Sequence, residues 1–282
     1  MGMKRKRTLT TFIFHAFCIL FAMTSLYPIL WMIASSLKES SQVFIDAQSL
    51  ILAVFKFENY ANGWRGFGGI DFGVFFRNTF IVVILATLGT LISCPFIAYG
   101  FARVDFKFKS FWFMTIMVSM MLPSQIVMIP QYIIFDKLHC LNTYIPLVLP
   151  LWFGSAFFIF QHMQFFRSIP NELDEAAKLD GCSRFQIYTS VLLPLIKPSL
   201  VTSCIFQFYW KWDDFFGSLI YLNKPKLYTL SVALRLFSDP SSTTDWGAMF
   251  AMGVLSLIPP VLIFFIFQKY IVEGISTSGL KG

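Results

Sequence analysis

Two short stretches hold most of the side chains with chemical capacity in this chain, and neither is spaced as a catalytic centre. The first reads Asn171-Glu172-Leu173-Asp174-Glu175-Ala176-Ala177-Lys178-Leu179-Asp180-Gly181 and packs four carboxylates into nine residues. The second, Tyr209-Trp210-Lys211-Trp212-Asp213-Asp214, sets three ionisable groups inside an aromatic run. Acid–base or nucleophilic catalysis needs a reactive group within hydrogen-bond reach of a base and an orienting partner, and no such pairing is spaced here. There is no G-x-x-x-x-G-K-[ST] phosphate loop and no H-E-x-x-H helix. His15, His139 and His162 stand alone in apolar surroundings, and Cys18, Cys94, Cys140, Cys182 and Cys204 form no C-x-x-C. Neither a metal site nor a disulfide framework is expected from them.

What remains is docking and lining. Pro170 and Asn171 suit the start of a helix, with Asn171 as its N-cap. Leu173, Ala176, Ala177, Asp180 and Gly181 then share one side at helical spacing. That side is small in its middle, so another surface can approach its backbone. The second stretch lies deep in an apolar segment, where charges facing lipid are costly and must meet a cavity or one another. Two readings follow: aromatics and polar groups lining a pathway for a sugar, or a Lys–Asp pair that fixes helix packing.

The elements that must position these stretches are membrane spans. The chain has 282 residues, 56% hydrophobic and 18% aromatic, with 13% charged residues and a mean hydropathy of +0.67. A soluble domain carries about 25% charged residues, so a water-soluble globular protein is excluded. The formal charge of +7 forms no basic patch interleaved with aromatics, and nucleic acid is not an expected partner. Roughly 20 apolar residues cross a bilayer, and six stretches qualify: about 9–34, 78–102, 110–130, 142–166, 198–222 and 247–268. The basic start Lys4-Arg5-Lys6-Arg7 followed by an apolar run also opens a signal peptide, but the run is too long for one and has no cleavage site. Pro123 and Pro130 are expected to kink the third span or end it early. Residues 35–77 read as an external loop with short surface helices, and Tyr228–Phe237 as an amphipathic segment. The sequence carries no internal repeat or linker, so residues 1–282 are read as one all-α membrane domain.

Basic residues orient it. Thirteen Lys and Arg fall in the N-terminus, the 103–109 loop, the 167–197 loop and the 269–282 tail, against eight in the longer remaining connections. Positive charge concentrates on the cytoplasmic side, which puts both termini and the 167–197 loop in the cytoplasm.

Glu175-Ala176-Ala177 is followed by three residues, Gly181, nine residues, and Val191-Leu192-Leu193-Pro194. This pattern resembles the EAA motif of permease subunits of ATP-binding-cassette (ABC) importers, with Val191 where the family usually has Ile. The resemblance implies a MetI-like type I permease fold. It makes Leu173, Glu175, Ala176, Ala177, Asp180 and Gly181 a coupling helix seated in an ATP-binding subunit, with Gly181 turning the chain between two short helices and Pro194 leading into the fifth span. Trp210 to Leu222 is similar to a segment of carbohydrate permeases, which implies Tyr209, Trp210, Lys211, Trp212, Asp213 and Asp214 along the translocation pathway. The end of the chain looks like the tail of MalG-type subunits, which implies contact of Gly279, Leu280 and Lys281 with the ATP-binding subunits. Rich in Gly, Ser and Thr, that tail is expected to lack regular structure until bound. Arg103 and Glu273 read as anchors.

The resemblance implies a non-catalytic subunit of the bacterial cytoplasmic membrane, working by alternating access. Its expected partners are a second, different permease, two ATP-binding subunits, an extracellular solute-binding protein, a carbohydrate and the bilayer. No cofactor is expected on this chain, since ATP and Mg would sit in the partner subunits. An acidic, uronate-containing oligosaccharide is one candidate cargo, and residues 223–246 match by position a loop that probes the binding protein. A non-sugar ABC permease is the alternative. An ion-coupled carrier would need inverted repeats and paired intramembrane carboxylates, to which only Asp213-Asp214 corresponds.

Overall fold

In a computed structural model the backbone is described for residues 2–46, 49–50, 55–237 and 245–279, and the side chains of 2–10 and 271–279 are not. Among the described residues there is no strand, and one isolated bridge pairs Phe67 with Ile70. The helices are α1 (Gly2–Ser36), α2 (Glu58–Trp64), α3 (Phe72–Arg103), α4 (Lys109–Met121), α5 (Ser124–Lys137), α6 (Ile145–Trp152) and α7 (Ala156–Ser168). They continue with α8 (Glu172–Leu179), α9 (Arg184–Gln186), a π-helical turn Ile187–Leu192, α10 (Leu193–Leu195), α11 (Lys197–Trp212), α12 (Phe215–Tyr221), α13 (Leu230–Phe237) and α14 (Trp246–Gly279).

Four helical stretches are long and apolar enough to cross a membrane: Thr11–Ser36, Phe72–Arg103, Ile145–Ser168 and Trp246–Tyr270. Two bent pairs bring the number to six if each is one span: α4 with α5, bent by 104°, and Arg184–Leu195 with α11, bent by 76°.

The breaks have local causes. Leu122 is extended (φ −77°, ψ 124°) because Pro123 follows it, so the third apolar stretch turns there. Pro130 sits inside α5, which runs on to Lys137, so of the two expected breakers only Pro123 acts as one. Gly154, at φ +108°, separates α6 from α7, a backbone that glycine adopts without strain. The groups freed at this break are met by α3: Ser93 Oγ donates to the Leu151 carbonyl at 3.0 Å, and the Ser155 N–H points at Cys94 Sγ at 3.2 Å. Such compensation is what an apolar environment demands of interrupted helices. The fifth apolar stretch, expected to be continuous over 198–222, stops at Trp212 and restarts at Phe215.

The chain forms two compact units. The first comprises residues 1–72 and 234–258. Here Asn59 donates to the carbonyls of Ser36 (2.9 Å) and Lys38 (2.7 Å), and the Lys38 ammonium donates to those of Asp46 and Ser49. Trp31 meets Phe250 and Phe44 meets Trp246 edge to face. Gly63 is required by proximity, since a Cβ there would come within 2.9 Å of the Ala248 carbonyl.

The second unit comprises residues 73–233 and 259–282. One buried cluster joins Cys94, Ala98 and Tyr99 of α3 to Phe158, Met163 and Phe166 of α7, and to Ala177, Ile187, Tyr188, Leu192 and Ile196. A second gathers Val82, Phe135, Leu147, Val148, Tyr221 and Leu222. The amphipathic segment expected near Tyr228–Phe237 is α13, whose N-terminal amide at Leu230 donates to Thr79 Oγ1 at 2.7 Å. The tail differs from the expectation: α14 continues without interruption to Gly279.

Candidate functional site

The acidic stretch folds as α8, two turns long, and stops where its sequence requires. Gly181 takes φ +80°, the left-handed conformation that glycine reaches without a Cβ penalty. The Cys182 N–H then donates to the Ala177 carbonyl (2.9 Å) and the Gly181 N–H to that of Lys178 (3.0 Å). This pair of bonds is the Schellman arrangement, which satisfies carbonyls that a helix end otherwise leaves open. Ser183 and Gln186 close a reciprocal capping box at the start of α9. Gly181 is thus the turn between two short helical segments. Pro194 sits in α10, just before the bend at Ile196 into α11. Having no N–H, it makes no helical bond to Ser190, next to the wide π turn.

The start of α8 is built differently from the expectation. Asn171 has helical dihedrals and its side chain caps nothing; its Oδ1 accepts from Arg103 Nη1 instead. Arg103, the last residue of α3, also donates from Nη2 to the Ile169 carbonyl at 2.6 Å. Its Nε lies 3.4 Å from Asp174 Oδ2, with both side chains about nine-tenths buried. That closest approach is an ion pair without hydrogen-bond geometry. Arg103 therefore straps the first turn of α8 to α3, an anchor as the sequence suggested.

The strap decides which side of α8 is free. Asp174 and Ala177 turn inward, and Ala177, 7% exposed, belongs to the buried cluster. This corrects the expected docking side, because Ala177 packs within the chain. Leu173, Glu175, Ala176, Asp180 and Gly181 are exposed. Leu179, 90% exposed, and Phe185 were not singled out from the sequence, although an apolar residue in so polar a stretch is itself a signal. Leu173, Ala176 and Leu179 recur every three residues along this outer side.

The second stretch closes on itself. Lys211 Nζ lies 2.7 Å from Asp214 Oδ2, while Asp214 Oδ1 accepts the Gly217 N–H at 3.0 Å and so caps α12. The Asp214 carbonyl accepts from Ser231 Oγ. Trp212, 4% exposed, stacks on Phe208 and meets Phe80 edge to face. Tyr209 donates its hydroxyl to the Pro260 carbonyl at 2.6 Å. Trp210 and Asp213 are exposed, and Trp210 meets Phe157 edge to face and Phe158 at a tilt, with ring centres 5.2 and 5.1 Å away. The geometry of Lys211 and Asp214 is that of a packing pair and helix cap, leaving Trp210 and Asp213 as the groups presented outward.

Of the tail residues, Gly279 ends α14, and Leu280 and Lys281 lie outside the described residues. Among the described residues no three His, Cys, Asp or Glu side chains gather as a metal-binding group.

Comparison with known proteins places this architecture. Residues 92–277 match the family described as "Binding-protein-dependent transport system inner membrane component". The probable ABC transporter permease protein YurM of Bacillus subtilis is 35% identical over 267 residues, covering 94% of this chain and 87% of YurM. The arabinooligosaccharides transport system permease protein AraQ of Bacillus subtilis is 30% identical, covering 94% of each chain. The sn-glycerol-3-phosphate transport system permease protein UgpE of Brucella melitensis is 29% identical, covering 97% of this chain and 98% of UgpE. The crystal structure of a bacterial ABC transporter involved in the import of the acidic polysaccharide alginate contains a chain of the same fold, with a TM-score of 0.82 at 22% identity, covering 94% of this chain and 98% of that one. Matched along most of its length and carrying several apolar spans, the chain belongs to the binding-protein-dependent inner-membrane components and is a multi-pass permease subunit of an ABC importer.

Proposed function

We propose that this permease moves oligosaccharides into the cytoplasm as one half of a heterodimer, with α8 as its coupling helix. One observation carries the coupling role: a short helix strapped to the long span α3 by Arg103, yet presenting Leu173, Ala176 and Leu179 outward. A rigid link from an exposed docking side to a span is what converts closure of a partner into movement of helices. In this reading both termini and residues 167–197 face the cytoplasm, as their Lys and Arg density favours. Two copies of an ATP-binding subunit supply ATP and Mg, the chain itself holds no cofactor and catalyses no reaction, and a solute-binding protein delivers the cargo outside. Trp210 and Asp213 are the pathway candidates, and the end of the tail, including Leu280 and Lys281, contacts the ATP-binding subunits.

An oligosaccharide cargo is supported by the arabinooligosaccharide permease among the relatives. An anionic cargo, whether a uronate oligosaccharide or a polyol phosphate, is the second reading, because the sn-glycerol-3-phosphate permease is almost equally similar. The test is co-purification with the products of neighbouring genes, followed by ATPase and uptake assays in liposomes. Wild type should bring down an ATP-binding subunit and a second permease, and Glu175→Lys or Gly181→Asp should lose the former. Uptake of neutral arabinooligosaccharides, of oligouronates or of glycerol phosphate separates the cargo readings. A protein that purifies alone and transports on an ion gradient without ATP would overturn the proposal.

A further inference from the structure

Where α4 packs beside α7, a groove of about 380 Å³ is charged at one end and apolar along its length. Lys109, Phe113 and Met117 recur at four-residue spacing on one side of α4, so Met117 lies about 12 Å along the helix from Lys109. Phe101 and Met114 complete the apolar walls. Arg167, in the last turn of α7, stands at the charged end, its guanidinium 5.8 Å from the centre of the Phe113 ring. None of the α4 side chains is buried, so the groove opens outward.

We infer that this groove binds an anionic phospholipid, its phosphate between Lys109 and Arg167 and an acyl chain along Phe113, Met114 and Met117. Two cations above an apolar trough have the charge and shape of such a lipid, and basic pockets between spans are where anionic headgroups are held. Arg167 makes no ion pair among the described residues. Lys109 pairs with Asp105 at 3.5 Å, but that carboxylate is fully exposed, so water screens the pair and a phosphate can displace it. A zwitterionic headgroup would bring its own cation against the pair, so the site selects for net negative charge. Long basic side chains at the end of a span reach the headgroup layer while their stems cover apolar surface.

The test uses the full chain, purified in detergent with whichever subunits accompany it, delipidated, and re-exposed to phosphatidylglycerol or phosphatidylcholine. Native mass spectrometry counts the lipid retained. The double variant Lys109→Gln/Arg167→Gln should retain about thirtyfold less phosphatidylglycerol than wild type, each basic group being worth about fivefold at an anionic surface. Lys224→Gln/Lys226→Gln, which removes as much charge elsewhere, and the conservative Lys109→Arg/Arg167→Lys should both retain wild-type amounts. Met117→Trp, which fills the trough, should lower retention without altering either charge. Equal retention by wild type and the Lys109/Arg167 double variant overturns the inference. So does equal loss of both lipids in that variant, or a crosslink from a cysteine at Met114 to a partner permease in place of lipid.

Discussion

Arg103 ends α3 with its Nε 3.4 Å from Asp174 Oδ2, while its two other nitrogens hold Asn171 and the Ile169 carbonyl. One guanidinium therefore fixes the first turn of α8 by three contacts, and both charges are largely removed from water. Removing one partner of such a pair leaves a buried charge behind and costs about 3–5 kcal/mol. Arg103→Ala should lower the thermal midpoint of the purified permease strongly, and Asp174→Asn less, because Arg103 keeps its hydrogen bonds to Asn171 and the Ile169 carbonyl. Circular dichroism melts in detergent read both, and equal, small shifts would deny the strap.

Leu179 and Leu173 are exposed, so exchanging them for Lys should change the stability of the isolated subunit by no more than about 0.5 kcal/mol. The same variants should lose the ATP-binding subunit on co-purification, in contrast to Arg103→Ala, which should lower both readouts. A Leu179→Lys protein that still holds its partner and stimulates ATPase would remove this side of α8 from the interface.

Gly181 has open space where a Cβ would stand, so only its φ of +80° opposes substitution. Gly181→Ala should cost about 1 kcal/mol, Gly181→Asn less, and Gly181→Val more. Hydrogen exchange across residues 172–186 checks the order, with protection falling from Gly to Asn to Ala to Val.

Asp214 both pairs with Lys211 and caps α12, whereas Lys211 only pairs. Asp214→Ala should therefore destabilise more than Lys211→Met, the lost cap alone being worth about 1 kcal/mol. Trp212→Ala should cost about 3–5 kcal/mol because it empties a buried site. The half-exposed Trp210→Ala should instead change uptake at modest cost in melting temperature. Paired melts and liposome uptake distinguish residues that hold the fold from the pathway candidates, and unchanged uptake by Trp210→Ala removes it from them.

Much of this was legible in the order of residues. Apolar length marked the four long apolar helices, and Gly181 announced the end of α8, because both depend on neighbours a few residues away. The misreadings are instructive for the opposite reason. Asn171 has the chemistry of an N-cap, but a stronger donor, Arg103, reaches it from 68 residues earlier. Pro123 and Pro130 are equal as breakers in isolation, yet the bend falls at Pro123, where Leu122 turns extended, and α5 absorbs Pro130.

Local chemistry thus sufficed for the membrane class, the short helix α8 and the turn that closes it. It could not choose the inward side of α8, because helical spacing puts Leu173, Ala176, Ala177, Asp180 and Gly181 on one side without saying whether that side meets the rest of the chain or a partner. Packing made that choice, by drawing Asp174 to Arg103 and Ala177 into a cluster with Tyr99 and Tyr188. Packing also joined Lys211 to Asp214 across a helix break, because a charged pair removed from water is cheaper closed than apart.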